Sequence, residues 1–354
     1  MRISGSRMRR KRRTALWGAA GVAALVSAML VIPGILVNRF EAWEPAVIAP
    51  LQPKEQIVED EASASIVVPV FVTGRKEVVK VPLEQYVRGV LAAEMPADFE
   101  LEALKAQAIA ARTYLARRLA AGGADDMPPE AQGAIVTDTV AHQAYITEEA
   151  LRAKWGWFAY ARNLDKLTQA VNETAGLILT YDGEPIQAAF FSTSNGYTEN
   201  SESYWQAMLP YLRSVESPWD AMYAPNYERK VTVPYQELYK KLGLKGSAAA
   251  PKMTLLESSE SGRVLSVRIA GRTFTGREVR EKLGLASTDF KWTVRDGLVE
   301  FRTEGYGHGV GMSQWGANGM AKQGKTAEEI LLHYYTGVKI EPLDDDLAKR
   351  ASRL

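Results

Sequence analysis

No cysteine occurs in the 354 residues, so neither a disulfide nor a thiolate metal site can form. Histidine is nearly as scarce. Only His142, His308 and His333 exist, no two at ligand spacing, so a zinc site would need carboxylates from distant segments. An excess of positive charge is also missing. The chain has 43 Lys and Arg against 42 Asp and Glu, and seven of the basic residues fall in the first 13 positions. The rest is therefore acidic by six charges, which argues against a nucleic-acid partner, because phosphate binding needs a basic face.

Charge is absent altogether from residues 15–37. As a helix this run reaches roughly 34 Å, enough for the hydrocarbon core of a bilayer. It is too long for a signal-peptide apolar region, and no small-x-small cleavage site follows. The basic residues before it place the N-terminus in the cytoplasm by the positive-inside rule. Trp17 and Trp43 fall near the two interfaces. The expected organisation is a basic cytoplasmic segment (1–14), a transmembrane helix (15–37), a linker rich in Pro, Ala, Glu and Gln (38–65), an outer domain (66–340) and a charged tail (341–354). The protein is expected in the cell membrane, single-pass, with its main domain outside the cytoplasm.

The outer domain mixes strand and helix signals without a βαβ rhythm, which predicts an α+β fold. Two β-branched runs, 66–72 and 77–81, flank a turn at 73–76. A helix then leads to Glu94, and a second, capped by Asp98, runs from about 99 to 121. Further expected strands are 134–140, 177–181, 186–191, 253–257, 264–269, 290–294 and 298–303. Expected helices include 148–161, 163–175 and 233–242. Capping boxes at Thr275–Glu278 and Thr326–Glu329 open two more, the second ending at Gly337.

Glu94 is the acid that fits least well. At about 100° per residue it lies roughly 20° from Leu83 on the stripe formed with Val87, Val90 and Leu91, whereas Glu84 and Arg88 take the polar face. Desolvation there would raise its pKa and make it a proton donor near neutral pH. The alternative is an acid escaping to solvent at a frayed helix end before Met95-Pro96.

Other candidate chemistry lies further on. Residues 305–319 place glycine at alternate positions and carry His308, Ser313, Gln314 and Trp315. Such a loop allows close backbone approach to a ligand or unusual φ, and Gln and Trp are common sugar-contacting types. Its spacing does not match a dinucleotide loop. A Ser-His-Asp triad from Ser192 or Ser194, His308 and Asp138 is conceivable, although nothing resembles a nucleophile elbow. His333 sits among apolar residues and reads as structural. The Tyr204–Tyr227 aromatics suit core packing more than sugar stacking.

Taken together, the ordered segments VPLEQYVRGVLAAEMP (81–96), ALKAQAIAARTY (103–114), VTDTVAHQAY (136–145), STSNGYTENSESYW (192–205), PYLRSVESPWD (210–220) and GYGHGVGMSQWGA (305–317) resemble the stage II sporulation protein D family over roughly residues 66–340. The resemblance implies a single mixed catalytic domain with a substrate cleft, and a lytic transglycosylase that cuts the MurNAc–GlcNAc bond of peptide-stripped peptidoglycan strands without water. It maps the family's catalytic glutamate onto Glu94. It implies work beside the stage II sporulation protein P amidase and a membrane scaffold during forespore engulfment. Substrate contacts are expected from Ser192, Thr193, Ser194, His308, Ser313 and Gln314. No cofactor or metal is expected. Some relatives bind zinc through His and Cys near the counterpart of His142, and this chain has no cysteine. It also departs from many relatives in having Phe191 for His and Asn195 for Gly. Amidase-enhancer proteins share the domain, so a non-catalytic binding module is one rival reading. A hydrolase using Asp138 as second carboxylate and a purely structural anchored protein are two more.

Overall fold

The computed structural model describes residues 66–122, 127–245 and 249–344. They form an α+β structure with several small sheets around two hydrophobic clusters. Among the described residues no helix is long and apolar enough to cross a membrane. The apolar run 15–37 and the linker after it lie outside them.

The larger cluster starts with an antiparallel hairpin, β1 (Val67–Val72) and β2 (Glu77–Pro82), which pairs Val72 with Glu77 across the expected turn. Pro82 leads straight into α1 (Leu83–Glu94). The second helix, α2 (Leu101–Ala120), begins two residues later than expected. Asp98 does not cap it; the N-cap is Glu100, whose N–H donates to Asn318 Oδ1 at 2.8 Å. The strand expected at 134–140 contracts to β3 (Val136–Thr137), parallel to β1. The two helices expected after it merge as α3 (Glu148–Asn172), broken at Gly156, whose φ of 66° lies outside the helical region. Next come β4 (Leu177–Tyr181), β5 (Glu184–Pro185) and β6 (Phe190–Phe191), the last much shorter than the 186–191 strand expected. Two short helices follow, α4 (Ser201–Trp205) and α5 (Trp219–Tyr223).

The second cluster is an inserted lobe. It comprises β7 (Glu228–Pro234), α6 (Tyr235–Leu242), β8 (Met253–Ser258), β9 (Val264–Ile269), β10 (Arg272–Thr275), α7 (Gly276–Leu283), β11 (Phe290–Arg295) and β12 (Leu298–Glu304). Two antiparallel sheets, β11-β12-β7 and β10-β9-β8, enclose Val233, Leu238, Val267, Phe274, Val279 and Phe301. Val233, expected in a helix, pairs with Val299 instead, because Pro234 delays the helix by two residues. The chain then returns to the first cluster through β13 (Met312–Ser313), parallel to β6, and α8 (Gln314–Lys322). After these, α9 (Ala327–Tyr334) stops before Gly337, and β14 (Lys339–Pro342) pairs with β4 across position 341. Both expected capping boxes are present, at Thr275/Glu278 and Thr326/Glu329.

The largest departure concerns α1. Glu84 and Arg88 are buried, not on a solvent face, because β1, β2, α2 and α3 all pack around the helix. A charge enclosed in this way needs full compensation. Glu84, 0 % exposed, receives Arg112 Nε at 2.9 Å on Oε1 and Nη2 at 2.6 Å on Oε2, plus the Gly176 N–H at 3.2 Å. Arg112 Nη1 donates on to the Leu177 carbonyl, tying α1 and α2 to β4. Arg88 donates to Thr168 and Glu148 of α3.

Arg112→Met would strand the Glu84 carboxylate, and the expected loss is about 3–5 kcal/mol. Urea denaturation checks this. Adding Glu84→Gln to that variant should recover part of the loss, since the uncompensated charge is then gone.

Candidate active site

Glu94 is the last residue of α1, ten positions after the ion-paired Glu84 on the same helix. The segment between β3 and α3 folds back over this helix. Ile146 N donates to the Gly89 carbonyl at 3.3 Å, and Ala144 N donates to Glu94 Oε1 at 2.9 Å. Gly89 makes this approach possible: a Cβ there would overlap the Tyr145 ring and come within 2.9 Å of the Ile146 carbonyl. Tyr145 stacks on Tyr86 with centroids 5.4 Å apart, and the Tyr86 hydroxyl donates to Gln143 Oε1 at 3.2 Å. Among the described residues no cation lies within ion-pair distance of Glu94, and its Oε2 has no hydrogen-bond partner. Burial is the main influence and raises its pKa above the ordinary carboxylate value; the Ala144 N–H opposes this. Burial also raises the Tyr86 phenol well above its usual value, with the charges of Tyr114 and Tyr145, and then Glu94, adding to the effect.

The elbow after Glu94 is held from the far end of the chain. Phe99 meets Trp315 edge to face at 4.6 Å, beside the Glu100–Asn318 hydrogen bond. Trp315 N in turn donates to the Ser192 carbonyl at 3.0 Å. The two serine-bearing motifs are thus adjacent, as β6 and β13 run side by side. Ser192 is half-buried, with its hydroxyl 3.1 Å from that of Thr193. Gln314, at the start of α8, is buried, and its amide nitrogen has no partner among the described residues.

Ser194 and Ser313 converge on a residue to which the sequence reading gave no role. Asp220, fully buried, accepts the Ser194 N–H at 2.9 Å and the Ser313 hydroxyl at 2.5 Å on Oδ1. Its Oδ2 takes the hydroxyls of Ser194 at 2.8 Å and Ser217 at 2.6 Å. Ser217 also meets the Tyr334 hydroxyl at 2.7 Å. Burial raises the Asp220 pKa, and hydrogen bonds from Ser217, Ser313 and Ser194 oppose the rise. The glycine-rich segment packs on this framework. Gly311 has a φ of 80°, and a Cβ there would overlap the Ala189 carbonyl, so its close approach is to the protein's own backbone.

His308 sits among the rings of Trp205 at 5.2 Å, Tyr204 at 5.5 Å and Phe191 at 5.7 Å. Its Nδ1 accepts the Val310 N–H at 3.1 Å, which leaves the proton on Nε2, and the Phe190 backbone is its other polar neighbour. Burial, followed by the charges of Arg280 and Arg263, pushes its pKa down to about 3. The ring is therefore neutral at working pH and tied to backbone. The conceivable triad is not assembled. Ser194 is bonded to Asp220, His308 to backbone, and Asp138 accepts both the N–H and the hydroxyl of Thr73 at the β1–β2 turn. His333 Nε2 donates to the Glu216 carbonyl at 2.7 Å, and the ring packs on Trp219, a structural setting. Tyr211 is in the core. Among the described residues no group of three or more His, Asp or Glu could hold a metal ion.

Two clefts adjoin the inserted lobe. One, of about 740 Å³, lies between β7, the end of α7 and Tyr306; the other, of about 500 Å³, lies beside Tyr204, Trp205 and Arg277. Neither is lined by Glu94. The residues that sequence reasoning missed are Tyr86, Gln143, Ala144 and Asp220. Asp220 stood inside a recognised motif, but a backbone N–H such as that of Ala144 leaves no trace in residue type.

Comparison with known proteins gives the family. The stage II sporulation protein (SpoIID) family model matches residues 72–181, which hold α1, Glu94 and the segment folded over it. The chain is 42% identical over 341 residues to stage II sporulation protein D of Bacillus subtilis (strain 168), covering 94% of this chain and 97% of that one. The same identity holds over 337 residues with stage II sporulation protein D of Bacillus amyloliquefaciens, covering 93% and 96%. A more distant relative, 29% identical over 311 residues, is the amidase enhancer of Bacillus subtilis, of which 40% is covered. At this identity and coverage, the chain belongs to the stage II sporulation protein D family.

Proposed function

We infer that this protein is a membrane-anchored lytic transglycosylase that cleaves the MurNAc–GlcNAc bond of peptide-stripped glycan strands during engulfment in sporulation. The observation that carries the reading is the setting of Glu94: largely buried, without a cation, its pKa raised by desolvation. Because Oε1 accepts the Ala144 N–H, the acidic proton belongs on Oε2. From there it passes to the glycosidic oxygen as the C1–O bond breaks. The carboxylate left behind accepts the proton of the MurNAc C6 hydroxyl as that oxygen attacks C1, which closes the 1,6-anhydro ring. One residue serves as acid and then as base, so no second carboxylate is required, unlike in ordinary glycosidases. Asp138 accepts both Thr73 hydrogen bonds on Oδ1 at the β1–β2 turn, which gives it a structural task there. Ser192, half-buried, is the hydroxyl best placed for substrate, while the buried Thr193, Ser194, Ser313 and Gln314 and the His308 ring frame the loop that carries it. The stage II sporulation protein P amidase and a membrane scaffold are the proposed partners, and the uncharged run 15–37 is the proposed anchor.

The amidase-enhancer relative supports a second reading, a module that binds glycan and stimulates a partner hydrolase without cutting. Mass spectrometry of peptide-free strands incubated with the full chain in detergent separates the two. Anhydro ends, about 18 Da lighter than reducing ends because no water is added, are the expected product. Intact strands together with a stimulated amidase would establish the module. Glu94→Gln should lower the rate by about 10²–10⁴-fold, the usual share of a general acid–base group.

The same substitution has a stability signature. The raised pKa means that the folded state holds the Glu94 proton more tightly than the unfolded chain does. The stability contributed by that proton is complete below the ordinary carboxylate pKa and is lost as pH rises through the raised value. Glu94→Gln should therefore raise the melting temperature at neutral pH and change it little in acid. Thermal unfolding of both chains across pH checks this, and equal melting curves at neutral pH would contradict the desolvated setting.

A further inference from the structure

The cleft of about 740 Å³ stands out electrostatically in a chain that is acidic beyond its first residues. Its walls carry Arg229 and Lys230 from β7, Arg280 and Glu281 from α7, and Asn226 and Tyr306. The one acid among these is already neutralised, since Glu281 Oε1 receives Arg277 Nε at 2.7 Å. Lys230 has only a loose partner, Glu300 at 3.7 Å. Among the described residues neither Arg229 nor Arg280 has a carboxylate partner. Arg280 donates to the neutral Tyr204 hydroxyl at 3.2 Å, and the Arg229 guanidinium lies 4.5 Å from the centroid of the Tyr306 ring. Tyr306 itself is 42 % exposed.

Arg229 and Arg280 both line the cleft without a carboxylate partner among the described residues, and an oxyanion bound there would supply the missing counter-charge. Their planar forks suit a carboxylate better than a point charge would. An exposed phenol beside them offers an apolar face for a pyranose ring. The volume falls within the range of sites that take ligands of this size.

We propose that this cleft is a second glycan site, selective for sugars that bear a carboxylate, with Arg229 and Arg280 holding the acid and Tyr306 the ring. The proposal rests on the reading that the chain acts on wall glycan, whose muramyl residues carry a lactyl carboxylate that GlcNAc lacks. It gives the enzyme a means of engaging a strand by its muramyl positions away from Glu94, which does not line the cleft. Without stem peptides, the lactyl group is the acid that remains on each MurNAc.

Calorimetric titration of the full chain in detergent tests this, in a Glu94→Gln background so that no ligand is cut. The probes are a GlcNAc–MurNAc tetrasaccharide, a GlcNAc tetrasaccharide and a glycerol phosphate oligomer. The muramyl ligand should bind roughly tenfold tighter than the GlcNAc ligand, the worth of one charge-assisted contact, and added salt should shrink that margin. Arg229→Ala, at an exposed residue, should remove most of the preference while the melting temperature stays unchanged. Arg229→Lys should keep part of it. Equal binding of both tetrasaccharides, a preference that survives Arg229→Ala, or tighter binding of the glycerol phosphate would each overturn the proposal. Anhydro products from the unsubstituted chain, measured in parallel, report on Glu94 alone, so the two readings fail separately.

Discussion

The enclosure of α1 governs this structure. A helix covered by a hairpin and two further helices keeps little solvent face, so the polar groups buried along it must find partners inside the protein. Glu84 and Arg88 do so through Arg112, Thr168 and Glu148. These bonds hold α1, α2, α3 and β4 in one register, which fixes where the end of α1 falls. Glu94 occupies that end half-buried, with one backbone N–H and no cation among the described residues. The contrast between two glutamates on one helix is thus a contrast in partners.

A second buried carboxylate organises the opposite wall. Asp220 gathers hydroxyls from three segments far apart in sequence, Ser194, Ser217 and Ser313. Four hydrogen bonds on one carboxylate in a dry setting make a rigid joint, since loss of any leaves charge uncompensated. The joint locks the glycine-rich segment beside the Ser192–Ser194 strand and sets Trp315 against Phe99. Positioning at the elbow after Glu94 therefore depends on an acid with no part in the chemistry proposed for it.

Where local physics decided an element, it was legible in the sequence. The hairpin, β4, β9 and both capping boxes depend on neighbours within a few residues, and each formed as expected. The polar face assigned to Glu84 and Arg88 failed because a helical wheel shows where apolar residues cluster, not what covers the other side. The break at Gly156, expected near residue 162, was missed because a positive φ at one glycine outweighs the surrounding helical pattern. Glu94 was visible as a misfit, and the raised pKa was argued from it. The groups that create its setting, Ala144 and Tyr145, lie some fifty residues away, and only the folded chain brings them together. Likewise the alternate glycines announced close approach without saying to what: at Gly311 it is to Ala189.

The inserted lobe leaves and rejoins the first cluster at almost one point, where Gly305 N donates to the Tyr227 carbonyl at 2.9 Å. A segment with adjacent ends and its own hydrophobic cluster can complete itself while the chain is still being synthesised, because its contacts are local to it. The first cluster cannot. Its parallel β6–β13 pairing spans the whole insertion, and β4 gains β14 only when the last strand emerges. Phe99 and Glu100 meet Trp315 and Asn318 at that same late stage. In a nascent chain the elbow that follows Glu94 is thus unfinished until residues 315–318 have been synthesised. The order of residues along the polypeptide acts as a timer, and the site matures last.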